Sequence, residues 1–285
     1  MIEVRGLTKV FHAGGVDRVV ALDAVDLTIP AGQLATVIGS NGAGKSTLLN
    51  AIAGVFPCDG GSVWIDGADV GRLPEHQRAS RVARVFQNPL DGTAGVLTVE
   101  QNLTIALLRG KRRGLAPAST AARRELFQQG LRWLGMGLEE RLKTRAQFLS
   151  GGQRQALTLL MAVLSKPSVL LLDEHTAALD PVSASQVLRL TQLLVQEHRL
   201  TALMVTHNMS QALALGQRTI MMDRGKVVLD FAGEEREGLT VADLVQRFYE
   251  VRGEELQDDE LLLQHVDRRP VSPLAAARRA VPGSK

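Results

Sequence analysis

The chain of 285 residues holds a single cysteine, Cys58, so no internal disulfide can brace it and a reducing compartment is expected. Long apolar runs are equally scarce. The longest apolar-rich stretch, Ala156 to Leu164, is interrupted by Thr158 and falls well short of the ~20 residues that cross a bilayer. An excess of one charge is missing too: 33 Lys and Arg against 30 Asp and Glu leave a formal +3, too little to argue for a nucleic-acid partner. No basic-then-apolar leader opens the sequence, since Met1-Ile2-Glu3-Val4-Arg5 reads as the start of a strand. Together these absences predict a cytosolic protein with one large globular domain, or a domain with a small appendage.

What is present is alternation. Ile2 and Val4, then Val19 to Leu22, then Val25, Leu27 and Ile29 read as strands. Leu34-Ala35-Thr36-Val37-Ile38 runs into a glycine-rich loop, and Ser46 to Ala53 reads as a helix stopped by Gly54. Ser62–Gly67 and Arg81–Phe86 are further expected strands. From Thr98 to Ser165 the pattern turns helical, with caps at Thr98 and Ser150, helix formers from Thr120 to Leu134 and a basic connection at Lys111–Gly114. Val169–Leu172 and Ala202–His207 read as buried parallel strands around a helix from Val182 to His198. Asp223-Arg224-Gly225-Lys226 is a hairpin signal. The expected fold is α/β, with residues 1–232 as one domain and a helical subdomain at about 88–165 inserted in it. Residues 233–267 are expected to form a short helical extension, on Leu239, Val241, Leu244, Val245 and Phe248 and again on Leu256 and Leu261–Leu263. The basic stretch 268–285 is expected to be a solvated tail.

Gly39-Ser40-Asn41-Gly42-Ala43-Gly44-Lys45-Ser46 is a full phosphate-loop match in the strand–loop–helix context that motif requires. Backbone N–H groups from Gly42 to Thr47 can wrap phosphates because glycines permit close approach, and the helix start adds its positive end. Lys45 supplies a point charge to β/γ oxygens, and Ser46 a hydroxyl to Mg²⁺. A glycine turn that merely packs would leave the Lys-Ser pair unexplained. Asp173 closes a buried apolar strand, where a carboxylate is costly unless it serves a cation. Leu149-Ser150-Gly151-Gly152-Gln153 opens a second helix, and with it a second anion-binding helix start in one chain.

The phosphate loop, the Leu-Ser-Gly-Gly-Gln run and Leu170-Leu171-Leu172-Asp173-Glu174 together resemble the nucleotide-binding subunit of ATP-binding cassette (ABC) transporters, over residues 1 to about 230. That resemblance implies a P-loop ATPase core with an antiparallel β subdomain and a helical subdomain. It implies ATP and Mg²⁺ as ligands, with Ser46, Gln87 and Asp173 toward the metal. Glu174 is implied as the base that polarises the attacking water, His207 as the group that contacts the γ-phosphate, and Gln87 as a sensor of the membrane partner. It implies a head-to-tail homodimer in which each ATP lies between one phosphate loop and the partner's Ser150-Gly151-Gly152-Gln153, with Asp180 at the crossing. Phe11 takes the place of the aromatic that stacks on adenine, although a core phenylalanine stays open as its reading. His12, His76, His198 and His265 read as structural.

One departure is visible. The family's stretch after the glutamate has proline, whereas this chain has His175, read either as a second acid–base group or as a benign loop substitution. Asp-Glu-His-Thr-Ala-Ala-Leu-Asp-Pro is similar to an importer subgroup that accompanies permeases like those of branched-chain amino-acid importers. The resemblance thus implies an ATPase on the inner face of the membrane. Through permeases, and indirectly a solute-binding protein, it would drive uptake of an amino acid or similar small organic solute. An exporter subunit is the alternative. Chromosome and DNA-repair ATPases of this type need a long coiled coil, for which the 62 positions from Gln87 to Leu149 (149 − 87) show no sustained heptads. Ribosome-acting relatives need two cassettes, and one phosphate loop is present.

Overall fold

A computed structural model of the protein describes residues 1–111, 117 and 119–252. Most of the basic connection after Lys111, the helix expected on Leu256 to Leu263 and the tail 268–285 lie outside the described residues. The chain begins β1 (Ile2–Phe11), β2 (Val19–Ile29), β3 (Leu34–Gly39), α1 (Lys45–Ala53), β4 (Gly60–Ile65), β5 (Ala68–Asp69), α2 (Glu75–Arg78) and β6 (Val82–Val85). Three helices follow: α3 (Val99–Leu107), α4 (Ala121–Leu134) and α5 (Gly151–Leu164). The remainder is β7 (Val169–Asp173), α6 (Pro181–Glu197), β8 (Thr201–Val205), α7 (Met209–Leu215), β9 (Arg218–Asp223), β10 (Lys226–Ala232) and α8 (Val241–Arg252).

Two sheets form. An antiparallel sheet of order β2-β1-β4-β5 aligns Ile2 with Ile29 and Ile65, and Val4 with Leu27 and Val63, so alternate residues of three strands share one buried face. The runs before and after Asp23 belong to one strand, β2, rather than two. Ala24 at φ 49° marks the irregularity, and its N–H is taken by Thr8 Oγ1 at 3.2 Å. The larger sheet has the order β10-β9-β3-β8-β7-β6, parallel except for β10. Its inner strands β3 and β8 are buried throughout, Thr36 and Thr201 included, as parallel strands covered on both faces are.

Between β6 and β7 the described elements are helices. Leu103, Phe127, Leu131, Leu157 and Leu160 pack into one cluster with Val85, Leu170 and Leu172 of the sheet. On the opposite face, Val37, Val205 and Ile220 meet the antiparallel sheet and α1. The β9–β10 turn has φ 46° at Arg224 and 81° at Gly225, the doubly positive geometry of a tight hairpin.

Strand ends come earlier than the sequence predicts. β6 stops at Val85 and β8 at Val205, which places Gln87 and His207 on the loops beyond. The helix expected on Leu239 to Phe248 is present from Val241, and Leu244 and Phe248 are buried against Ile38, Met209, Met221 and Phe231. Replacing Phe248 by alanine is expected to lower the unfolding free energy by about 3 kcal/mol, read from urea denaturation. A loss under about 1 kcal/mol would mean that α8 unfolds apart from the sheet.

Candidate functional site

The sheet order sets the site. β3, β8, β7 and β6 are parallel neighbours, so the loops that leave their C-terminal ends stand side by side. Those loops carry Ser40–Lys45, His207, Glu174 and Gln87 in turn. Open parallel sheets bind ligands at this edge.

The glycine loop is held open by its neighbours. Gly39 and Gly44 have φ 146° and 99°. A Cβ on Gly39 would stand 2.1 Å from Met222 O, and one on Gly44 2.5 Å from Ala21 O. Gly42, at φ 78°, has nothing within 4 Å of that direction. The helices α3, α4, α5, α6 and α7 each start on a side-chain cap, at Thr98, Thr120, Ser150, Asp180 and Asn208. By contrast α1 starts on Gly44 with no side-chain cap and no acid in its first turn. Its nine residues therefore point an uncapped positive end into the loop, which suits a phosphate group. Lys45 is buried, and its ammonium donates to Gly39 O and Ser40 O, both at 2.8 Å.

Ser46 Oγ donates to Asp173 Oδ1 at 3.4 Å, so a hydroxyl and a carboxylate converge beside the loop. Both are hard oxygen donors of the kind that bind Mg²⁺ together with nucleotide phosphates and water. Among the described residues no cluster of three or more His, Cys, Asp or Glu could cage a metal alone. The cation beside Asp173 in this structure is a guanidinium. Arg84 Nη2 meets Asp173 Oδ2 at 2.6 Å, Arg84 Nη1 donates to Asn50 Oδ1 at 2.5 Å, and the guanidinium lies 4.7 Å from the Phe86 ring centre. Sequence reasoning missed Arg84. Its signal was a lone charge inside the short apolar strand β6.

Glu174 follows β7 at φ 42°, and its N–H donates to Val205 O at 3.0 Å. Its carboxylate faces His207 Nδ1 at 3.4 Å. That hydrogen bond holds Glu174 below the ordinary carboxylate range, with Lys45 adding to the effect, and raises His207 above an ordinary imidazole. His175 is not a second acid–base group. It is fully buried, and burial lowers its pKa to about 4, so it is neutral at physiological pH. Its Nε2 lies 2.9 Å from Thr191 Oγ1, whose hydroxyl already donates to Val187 O, which makes Nε2 the protonated nitrogen.

Ser150, Gly151, Gly152, Gln153 and Asp180 form a second group. Ser150 Oγ accepts from Gln153 N at 3.2 Å while Gln153 Oε1 accepts from Ser150 N at 3.3 Å, a reciprocal cap. Gln153 Nε2 also donates to Met136 O, so this amide is engaged within its own subunit. Gly152 lies against Ser183, whose N–H is capped by Asp180 Oδ1 at 3.0 Å, and Gly151 lies against Leu179. Phe11 is half-buried at the end of β1, edge-on to Phe56 at 5.5 Å with Lys9 Nζ 5.4 Å from each ring centre, and is not in the core.

A family model described as ABC transporter matches residues 22–177, more than half of the chain. The chain belongs to that family. The match includes the phosphate loop, Ser150–Gln153, Asp173 and Glu174, and stops short of Asp180 and His207. The ABC chain is 41% identical to a tyrosine transport ATP-binding protein of Clostridioides difficile, over 87% of its own length and 98% of that protein. It is 34% identical to the aliphatic sulfonates import ATP-binding protein SsuB 2 of Agrobacterium fabrum, over 80% and 78% of the two. Among solved structures, the dimeric post-hydrolysis state of the ATP-binding cassette MJ0796 bound to ADP and Pi superposes with a TM-score of 0.71 at 28% identity. It covers 84% of this chain and all of that one. As an ABC ATPase the protein binds ATP and hydrolyses it in a reaction coupled to transport. No helix among the described residues is long and apolar enough to cross a membrane.

The Glu174–His207 contact is checked directly. A group whose folded pKa is raised contributes stability that is complete below its ordinary value, 6.5 for histidine, and fades as pH climbs through the raised one. In nucleotide-free protein the His207 ring protons are expected to titrate above 6.5 by NMR, and to move down toward it in Glu174→Gln. An unmoved titration would separate the two side chains.

Proposed function

We propose that this ABC ATPase is the energising subunit of an importer for an amino acid or a similar small organic solute. On this reading it works on the inner face of the membrane through permease subunits fed by a solute-binding protein. The relatives named above for tyrosine transport and for sulfonate import support that substrate class. The site chemistry rests on one observation, the convergence of Lys45, Ser46, Asp173, Glu174 and His207 at adjoining strand ends.

In this reading the amides of Gly42 to Thr47 and the start of α1 receive the β- and γ-phosphates of ATP, with Phe11 against the adenine. Lys45 lies at the loop, where Gly39 O and Ser40 O hold its ammonium. Ser46 and Asp173 would hold Mg²⁺, with Gln87 reaching toward it, and the bound ion would neutralise charge on the phosphate oxygens. Glu174, kept ionised by His207, accepts a hydrogen bond from the attacking water and orients it on the γ-phosphorus. His207 then lies one side chain from the developing charge. Most of the acceleration comes from positioning and charge, since phosphoryl transfer needs little covalent help.

The second anion-binding helix start completes the site from another copy of the chain. Gly151 packs on Leu179 and Gly152 on Ser183 rather than on the phosphate loop, which supports a head-to-tail dimer that sandwiches ATP. The dimeric state of the cassette MJ0796 bound to ADP and Pi supports a dimer.

Glu174→Gln is expected to bind ATP nearly normally and to hydrolyse it at least ~10²-fold more slowly. Wild-type turnover would remove Glu174 from the mechanism. The composite site is tested by mixing Lys45→Ala with Ser150→Arg subunits. A mixed dimer has one doubly damaged site and one intact one, so ATP-driven dimerisation should partly return although each variant alone fails. Absence of recovery, with heterodimers shown to form, would place Ser150 outside the partner's site.

A further inference from the structure

Gln155 lies one turn into α5 and is fully buried. A buried primary amide is costly unless its hydrogens are bonded. Both bonds leave its own helix. Nε2 donates to His175 O at 2.7 Å and to Phe86 O at 3.0 Å. His175 directly follows Glu174, and Phe86 directly precedes Gln87. Both acceptors stand just past the last residues of β7 and β6, where the strand ladder no longer holds the chain. Thr158 Oγ1, one turn further along α5, donates to Gln155 O at 2.8 Å and lies 3.4 Å from Gln155 Oε1.

The His175 end of this bridge is anchored a second time. Its ring donates to Thr191 on α6, while its carbonyl takes the Gln155 hydrogen. Glu174 at φ 42° is in a backbone region that a non-glycine side chain adopts at a cost, so its conformation has to be imposed by what surrounds it. Val205 O on one side and the doubly tied His175 on the other supply that restraint. A residue that only filled the core at position 155 would be apolar, as Ala156, Leu157 and Leu159 beside it are.

We propose that Gln155 is a positioning residue of the ATPase reaction, whose buried amide fastens the backbone beside Glu174 to the backbone beside Gln87. The proposal rests on the catalytic reading of Glu174 given above. Displacement of α5, the helix that begins with the partner-facing Ser150, then moves the water-orienting carboxylate and the Gln87 loop as one unit. Gln155 is fully buried and so has no surface with which to touch nucleotide or water. It sets where two groups that do so are held.

The test compares the full-length wild type with Gln155→Leu, and with Gln155→Met should the leucine variant not fold, each also placed in the Glu174→Gln background. Loss of the bridge should lower kcat by about 10- to 100-fold, the scale of a misplaced catalytic group. The ATP dissociation constant should stay within about twofold, because the phosphate loop is untouched. In the Glu174→Gln background the same substitution should add little further loss, since it acts through a carboxylate no longer there. Hydrogen exchange should rise together in peptides covering 86–90 and 174–179. An unchanged kcat, an equal loss in both backgrounds, or faster exchange in one peptide alone would overturn the proposal. Normal turnover by Glu174→Gln itself would instead sink the catalytic reading, and is seen before any Gln155 variant is made.

Discussion

Parallel pairing of β3, β8, β7 and β6 is the constraint on which the rest of the molecule depends. Parallel neighbours end on the same side, so four loops far apart in sequence become contiguous without any loop having to reach. The register is tight, with Val37 opposite Val205, and Asp173 opposite Val205 from the other side. Burial of both sheet faces secures that register, because each strand presents Val, Leu, Ile or Met to a helix layer or to the second sheet. Core packing and site geometry are therefore one problem in this chain. A slipped strand would both expose apolar side chains and displace a functional group.

Electrostatics within that edge is arranged in pairs rather than as isolated charges. Glu174 is matched by His207, Asp173 by Arg84, and the ammonium of Lys45 by two carbonyls. Each pairing gives a charged group a partner in a partly buried setting where an unmatched charge is costly. The two carboxylates thus face different neighbours. Asp173 lies toward the phosphate-loop helix through Ser46, whereas Glu174 turns to the neighbouring strand.

The local features were the legible ones. Glycine spacing, the caps at Thr98 and Ser150, the hairpin at Arg224-Gly225 and the apolar face of α8 are encoded within a few residues of where they act. What escaped reading depends on long-range contacts. Arg84 acquires its role from Asp173 and Asn50, and Gln155 from Phe86 and His175, across separations that no periodicity reports. His175 looked like a choice between chemistry and neutrality. Its burial beside Thr191 shows a third use, a ring that anchors the backbone. Strand ends were misplaced by a residue or two for a related reason: Thr206 and Phe86 fit a strand by type, yet the register of paired residues ends at Val205 and Val85.

The carbonyls of Met222 and Ala21 come from different sheets, and they leave room for no side chain at Gly39 and Gly44. The hairpin adds its own grip, since Gly225 N donates to Ala43 O and Asp23 N donates to Gly225 O. The phosphate cradle is therefore a casting of the two sheets around it rather than a flexible strap. Ordering entropy that a floppy loop would lose on each encounter with nucleotide is lost once, when the protein folds. Successive turnovers inherit the same mould.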